Sequence, residues 1–253
     1  MKKILLEIKN LKKVYHNKQG ETLAVDNVNF DVYQQEILAI VGPSGCGKST
    51  ILSILSDLNK KSDGKIVFHD KEEIGYMLQT DSLFPWLTIL DNCLLGLEIK
   101  KRKNPESVKN VIKLLDKYGL SEFKYKYPDS LSGGMKQRVA LIRTLAINPS
   151  LLLLDEPYSA LDYQTRLALS DDMYRIIKAE KKTAILITHD IAEAISMSDR
   201  VIVLSRRPAT VKSIYEIKLS DKKDPIHNRK CIEFNDYYEK IWRDLDVYLQ
   251  WRT

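Results

Sequence analysis

The sequence predicts an α/β protein built on a mostly parallel, doubly wound sheet, and three features carry that prediction. The first is an apolar run, residues 37–41, followed directly by Gly42-Pro43-Ser44-Gly45-Cys46-Gly47-Lys48-Ser49-Thr50. The second is four leucines in succession, residues 151–154, that run into Asp155-Glu156; a strand apolar on both faces belongs inside a parallel sheet. The third is the alternation of such runs with stretches of helical apolar spacing.

The 253 residues suffice for one large α/β domain, or a domain with an inserted subdomain. At 44% apolar and 29% charged residues the composition is ordinary for a globular protein. No run approaches the roughly 18 apolar residues that span a bilayer. The start, MKKILLEIKN, has too short an apolar run for a signal peptide, and Glu7 and Lys9 interrupt it. It reads as a strand, and a cytoplasmic protein is expected. Cys46, Cys93 and Cys231 lie far apart without metal-ligand spacing, so neither a disulfide nor a zinc site is expected. A net charge of +6 suits an anionic surface or nucleic acid. The basic residues are scattered, however, and the densest cluster, residues 100–103, sits in a polar linker. It reads as solvated surface, and no nucleic-acid partner is expected.

In chain order, residues 3–33 read as short strands: 4–8, and 25–32 with Val28, Phe30 and Val32 on one face. A turn separates them at residues 17–20. Tyr15, just before it, is most simply a half-exposed strand aromatic. Residues 49–58 form a helix whose broad buried face carries Ile51, Leu52, Ile54, Leu55 and Leu58. Residues 62–64 break it, and short strands follow at 65–68 and 74–78, the latter ending at Gln79. From Thr80 the β signal stops until Leu151. Phe84-Pro85-Trp86-Leu87 suits a loop with exposed aromatic surface, and residues 90–97 and 105–118 look helical, with Pro105 in a first turn. Ser132 can cap a helix that places Val139, Ile142, Leu145 and Ala146 on one face and ends at Asn148-Pro149. Beyond the four leucines come a helix at 165–179, a buried strand at 183–188 ending at His189, a helix start at Asp190 and a third strand at 201–204. The tail is polar until a last helix, 235–249, with Tyr238, Ile241, Leu245 and Tyr248 in helical spacing. We therefore expect one domain: an α/β core from 1–80 and 150–253, a helical insertion at 81–149, and a C-terminal extension at 205–253.

Residues 42–50 have the pattern of a phosphate-binding loop between a strand and a helix. Glycines let backbone N–H groups curl around an anion. The helix that begins near Gly47 adds its free amides and dipole. Lys48 reaches the outer phosphates, and the Ser49 hydroxyl can ligate Mg²⁺. Asp155, at the carboxyl end of a buried strand, is the natural Mg²⁺-associated carboxylate, acting through water. Glu156 points the other way and can polarise an attacking water. The competing reading, two acids at a solvated strand end, is weakened by the leucines that run straight into them. His189 alone is more simply structural; beside the 151–156 strand it could reach a γ-phosphate. Gln79 alone is an ordinary edge residue whose amide oxygen could ligate a metal.

Together these residues resemble the ATP-binding-cassette (ABC) ATPases over nearly the whole chain. Residues 42–50 resemble the family's Walker A motif, and 151–156 its Walker B motif with a catalytic glutamate. Leu131-Ser132-Gly133-Gly134-Met135 resembles the signature LSGGQ. Ser159-Ala160-Leu161-Asp162 resembles the D-loop, Gln79 the Q-loop, His189 the switch histidine and Tyr15 the aromatic stacked on adenine. Walker A alone is shared by many NTPases; the signature between Q-loop and Walker B makes the resemblance specific. It implies a P-loop NTPase (RecA-like) core sheet with an N-terminal antiparallel β subdomain and an inserted α-helical signature subdomain. It implies ATP and Mg²⁺, with Glu156 and His189 in catalysis. Tyr15, Gly42, Pro43, Ser44, Gly45, Cys46, Gly47, Lys48, Ser49, Thr50, Gln79, Ser132, Gly133, Gly134 and Asp162 would contact nucleotide. Ser49, Gln79 and Asp155 would surround the metal. Two residues depart from the family's pattern: Met135 replaces the usual glutamine, and Asp57 stands where many relatives carry glycine.

The resemblance further implies a head-to-tail homodimer in which Ser132 of one copy closes over ATP held by the other. One cassette without a membrane span implies an energising subunit on the cytoplasmic side of the membrane, bound to separate permease subunits and served by an extracytoplasmic solute-binding protein. The stretch 82–88 with Asp91-Asn92 resembles importers of the nitrate, sulfonate and taurine group. Phe84 and Trp86 are then either a permease docking surface or core of the helical subdomain. The solute would be a sulfonate, nitrate or a vitamin precursor. The alternative is a soluble ABC ATPase of a non-transport machine, but neither tandem cassettes nor long coiled coils are present. A module that binds ATP without hydrolysis is disfavoured because Glu156 and His189 are both in place.

Overall fold

The computed structural model describes residues 3–17, 20–70, 73–158 and 162–245. Two sheets organise the chain. Strands β1 (Ile4–Asn17), β2 (Gly20–Tyr33) and β4 (Asp63–Phe68) make a three-stranded antiparallel sheet in the order β2-β1-β4. The second sheet contains β3 (Ile37–Val41), β5 (Ile74–Met77), β6 (Leu151–Asp155), β7 (Thr183–Ile187), β8 (Arg200–Leu204) and β9 (Val211–Glu216). Its order is β5-β6-β7-β3-β8-β9, all parallel except β9.

Every residue of β3, β6, β7 and β8 is buried, which is why these strands read as unbroken apolar runs. β9 alternates between half-buried and exposed residues, as an edge strand does. It lies in the tail expected to be polar; VKSIYE puts Ser213 on its half-buried face and Ile214 on its exposed one, so it offers neither an apolar run nor an apolar alternation to detect. The N-terminal strands are likewise longer than the short ones expected. Polar residues on their wet face hide them, and four register shifts along the pair bend the ladder.

Helix α1 (Lys48–Leu55) is shorter than expected. Asp57 adopts φ 59, a left-handed conformation that turns the chain out of the helix and leaves Leu58 exposed rather than on its buried face. Glycine would hold this conformation without strain. Helices α2 (Ile89–Ile99), α3 (Pro105–Lys117) and α4 (Gly133–Ala146) lie between β5 and β6 and share a core that includes Leu94, Val111, Leu115, Val139 and Ile142. Met135 packs against that core.

The basic cluster at 100–103 is not simply solvated surface. Lys100 pairs with the buried carboxylate of Glu73, and Nη1 of Arg102 lies 2.8 Å from its other oxygen. These pairs fasten the end of α2 to the base of β5. Helices α5 (Tyr163–Ala179) and α6 (Ile191–Met197) cover the large sheet, and α7 (Pro225–Asn228) and α8 (Glu233–Asp244) complete the chain. α8 begins two residues before the helix expected. It is pinned to β9 where the Tyr215 hydroxyl donates to Asp244 over 2.6 Å. Tyr238 stacks on Trp242, Ile241 is fully buried and Leu245 is the C-cap. Tyr248 lies outside the described residues.

Candidate nucleotide-binding site

The site forms where β3, β6 and β7 end, the edge at which ligands of open α/β sheets collect. β3 releases the chain into residues 42–47, and α1 starts at Lys48. Gly47 has φ 129, and a Cβ there would lie 2.9 Å from the Ala24 carbonyl oxygen, so both conformation and space require glycine. Gly45 has φ 69. The Cys46 thiol is buried against Gly42, and that burial pushes its pKa up; it packs the loop and leaves its backbone for a ligand. The Lys48 ammonium crosses the loop, donating to the carbonyls of Gly42 over 2.8 Å and Pro43 over 3.1 Å. A third proton remains for an anion. Pro43 is half-buried and Ser44 exposed at the loop's crest.

Ser49 donates to Oδ1 of Asp155 over 3.2 Å, joining residues 106 positions apart. Oδ2 of Asp155 accepts a hydrogen bond from Tyr76 over 3.0 Å. Burial raises the Asp155 pKa above the usual carboxylate range, against the two hydroxyl bonds and the nearby Lys48. This chemistry fits a hard cation: a desolvated carboxylate beside a hydroxyl, with no ion pair to a cationic side chain among the described residues. Among those residues no cluster of three or more His, Cys, Asp and Glu would hold a metal alone, so phosphate oxygens and water would complete the shell. Gln79 stands exposed two residues beyond β5, the strand next to β6.

Glu156 turns away from Asp155. Its N–H still bonds to Ile187 O at 3.0 Å, yet its φ of 44 bends the chain out of the sheet. Oε2 then lies 3.0 Å from Nδ1 of His189, just beyond β7. The neighbouring of β6 and β7 creates this pair. Tyr15 stands at the start of α1, its hydroxyl 3.5 Å from Oγ1 of Thr50 and its ring 4.7 Å from the Lys13 ammonium.

Ser132, Gly133 and Gly134 face elsewhere. Ser132 caps α4 by accepting from Met135 N–H at 3.4 Å. With Asp162, Thr165 and Asp172 these residues line a groove of about 330 Å³ that includes no residue of the phosphate loop. Asp162 caps α5, accepting from the Thr165 N–H at 3.0 Å, and hydrogen bonds from the Thr165 side chain and then its backbone lower its pKa. Ser159, Ala160 and Leu161 lie outside the described residues. The structure thus joins the phosphate loop with Asp155, sets Glu156 with His189 at the same sheet edge, and puts the signature residues in a separate groove.

Sequence reasoning missed the roles of three polar residues. Tyr76 sits in a strand as a half-buried aromatic with nothing to mark its hydroxyl. Asn92 is fully buried: Oδ1 accepts from Phe84 N–H at 2.8 Å, while Nδ2 donates to the carbonyls of Phe84, Leu87 and Thr88. Arg143 donates to the carbonyls of Asp81 and Ser82. Phe84 and Trp86 meet edge to face with centroids 5.3 Å apart. Trp86 is 70% exposed, so it is not core of the helical layer.

A phosphate loop at the end of the central parallel strand β3, with acidic groups at the end of β6 two strands away, defines a P-loop NTPase. More particularly, the chain belongs to the ABC transporter family, whose model matches residues 25–159. It is 44% identical over 248 residues to the uncharacterized ABC transporter ATP-binding protein YtlC of Bacillus subtilis (strain 168), covering 95% of each chain. It is 37% identical to the aliphatic sulfonates import ATP-binding protein SsuB of Bacillus thuringiensis subsp. konkukian (strain 97-27), covering 85% of this chain and 87% of that one. Among solved structures it resembles the dimeric, post-hydrolysis state of the ATP-binding cassette MJ0796 bound to ADP and Pi. The TM-score is 0.72 at 30% identity, over 85% of this chain and 99% of that one.

Proposed function

We propose that this chain is the ATP-hydrolysing subunit of an ABC importer, and that it works as a head-to-tail pair with ATP between the copies. One observation carries the reading: the capped, glycine-bearing start of α4 lines a groove that includes no residue of the phosphate loop. Both are anion-binding elements. A second copy lets each complete the other's site, and the dimeric MJ0796 cassette supports that arrangement.

In this reading residues 42–50 hold the phosphates and Tyr15 lies flat against adenine. Ser132, Gly133 and Gly134 of the second copy close over the γ-phosphate, with Asp162 beside them. Ser49, Asp155 and Gln79 would hold Mg²⁺, which would neutralise charge on the phosphates. Glu156 accepts a proton from the attacking water, and His189 holds the carboxylate in place.

No described helix is long and apolar enough to cross a membrane. Transport therefore calls for separate permease subunits, and the chain would sit peripherally on the cytoplasmic face. Phe84 and Trp86 offer the docking surface. The likeness to a sulfonate import subunit supports a small anionic organic solute such as a sulfonate, with nitrate or a vitamin precursor as the alternatives. An extracytoplasmic binding protein would select the solute.

The test is Glu156→Gln. It should keep ATP affinity, lose turnover and elute as a dimer in MgATP. Wild-type turnover in this variant would remove Glu156 from the reaction. The variant should also co-purify from membranes with permease subunits, and replacing Phe84 and Trp86 by serine should abolish that association. Undiminished association would remove the docking role.

A further inference from the structure

Residues 78–88 form no helix or strand, yet two side chains grip them by the backbone. Asn92 holds the aromatic half through Phe84, Leu87 and Thr88. Arg143 holds the other half: Nη2 donates to Asp81 O over 2.6 Å, and Nη1 to Ser82 O over 2.7 Å. The segment is itself shaped at that point. Ser82 has φ 46, and Oδ1 of Asp81 accepts from Leu83 N–H at 3.0 Å. A planar guanidinium spanning two successive carbonyls fixes orientation as well as distance, which a single ammonium does not.

Arg143 belongs to α4, the helix that Ser132 caps. At 1.5 Å per residue the fork lies roughly 16 Å along the axis from that cap. Val139 and Ile142 anchor the intervening turns in the core of the helical layer. A displacement of the segment at Asp81-Ser82 therefore reaches Ser132 through one packed helix, with no flexible joint between.

We propose that Arg143 is a positioning residue for ATP hydrolysis, binding the segment after Gln79 to α4 so that the aromatic loop and the signature move as one body. The proposal rests on the paired-ATP reading above. Among the described residues Arg143 makes no hydrogen bond to one assigned to the nucleotide; it couples residues 81–88 to the helix that carries Ser132 to Gly134.

Amide hydrogen exchange of E156Q, with and without MgATP, tests this. Closure of the pair should slow exchange over residues 81–88 as well as 132–135. Adding R143Q should preserve the MgATP dimer and the response at 132–135 but abolish that at 81–88. On the wild-type Glu156 background, R143Q should lower kcat by about 10-fold to 100-fold, with the KM for ATP little changed. R143K, which can hold one carbonyl, should be intermediate in both. An unchanged exchange response in R143Q overturns the proposal. If R143Q does not fold, R143K decides, and a response equal to that of E156Q overturns it. If E156Q with Arg143 intact forms no MgATP dimer, the paired-ATP reading fails first and takes the proposal with it.

Discussion

Nδ1 of His189 lies 3.0 Å from Oε2 of Glu156, although 33 residues separate them in the chain. A neutral imidazole with its proton on Nδ1 donates to the carboxylate and fixes its direction. His189→Ala should therefore cost about 100-fold in kcat while ATP affinity changes only a few-fold. Single-turnover hydrolysis beside nucleotide binding separates the two. A variant with wild-type turnover would reduce the pair to packing.

Tyr76 and Ser49 hold the two oxygens of Asp155. Tyr76→Phe keeps the ring and deletes one bond to a buried carboxylate, at a cost of about 1–3 kcal/mol. In a chain of this size each kcal/mol corresponds to about 2–4 °C in Tm. Thermal unfolding measures it, and an unshifted Tm would show that solvent replaces the hydroxyl without loss.

Asp199 makes stability depend on acid. Burial alone would raise its pKa, but Lys222, Lys178 and the Ile37 N–H together hold it down at about 2. A carboxylate depressed in the folded state contributes stability above its unfolded pKa, near 4, and loses it as pH falls toward the folded value. The shift corresponds to about 2–3 kcal/mol. Asp199→Asn should lower stability by that order at pH 7. The gap to wild type should close between pH 4 and pH 2 in denaturant titrations. A gap that stays constant with pH would assign the effect to packing.

Asp57 holds a left-handed conformation, φ 59, on the exposed exit of α1. A side chain costs about 1 kcal/mol there, which aspartate partly offsets by local hydrogen bonding. Asp57→Gly should raise Tm by about 1–3 °C with ATPase activity unchanged. A fall in Tm would mean that the aspartate makes a compensating contact in the folded state.

The amino-acid sequence determined the core strands and the phosphate loop because their signals are local. An unbroken apolar run specifies burial on both faces, and a nine-residue glycine pattern specifies a backbone shape. Edge elements escaped for the opposite reason: β9 places Ser213 on its half-buried face and Ile214 on its exposed one, and the long N-terminal strands carry polar residues on the wet face. Leu58 was misplaced because helical spacing continues past Leu55 while Asp57 ends the helix. The basic cluster at 100–103 read as solvated because its partner, Glu73, lies far back in the chain.

Tertiary structure alone decided which side chains meet. The order β6-β7-β3 puts His189 beside Glu156 and lets Ser49 reach Asp155, and no spacing along the chain encodes those distances. The roles of Tyr76, Asn92 and Arg143 came only from the fold, since a hydroxyl, an amide or a guanidinium that binds backbone or a distant carboxylate leaves no local pattern. Periodicity records which face of an element is buried; it does not record which neighbour that face will find.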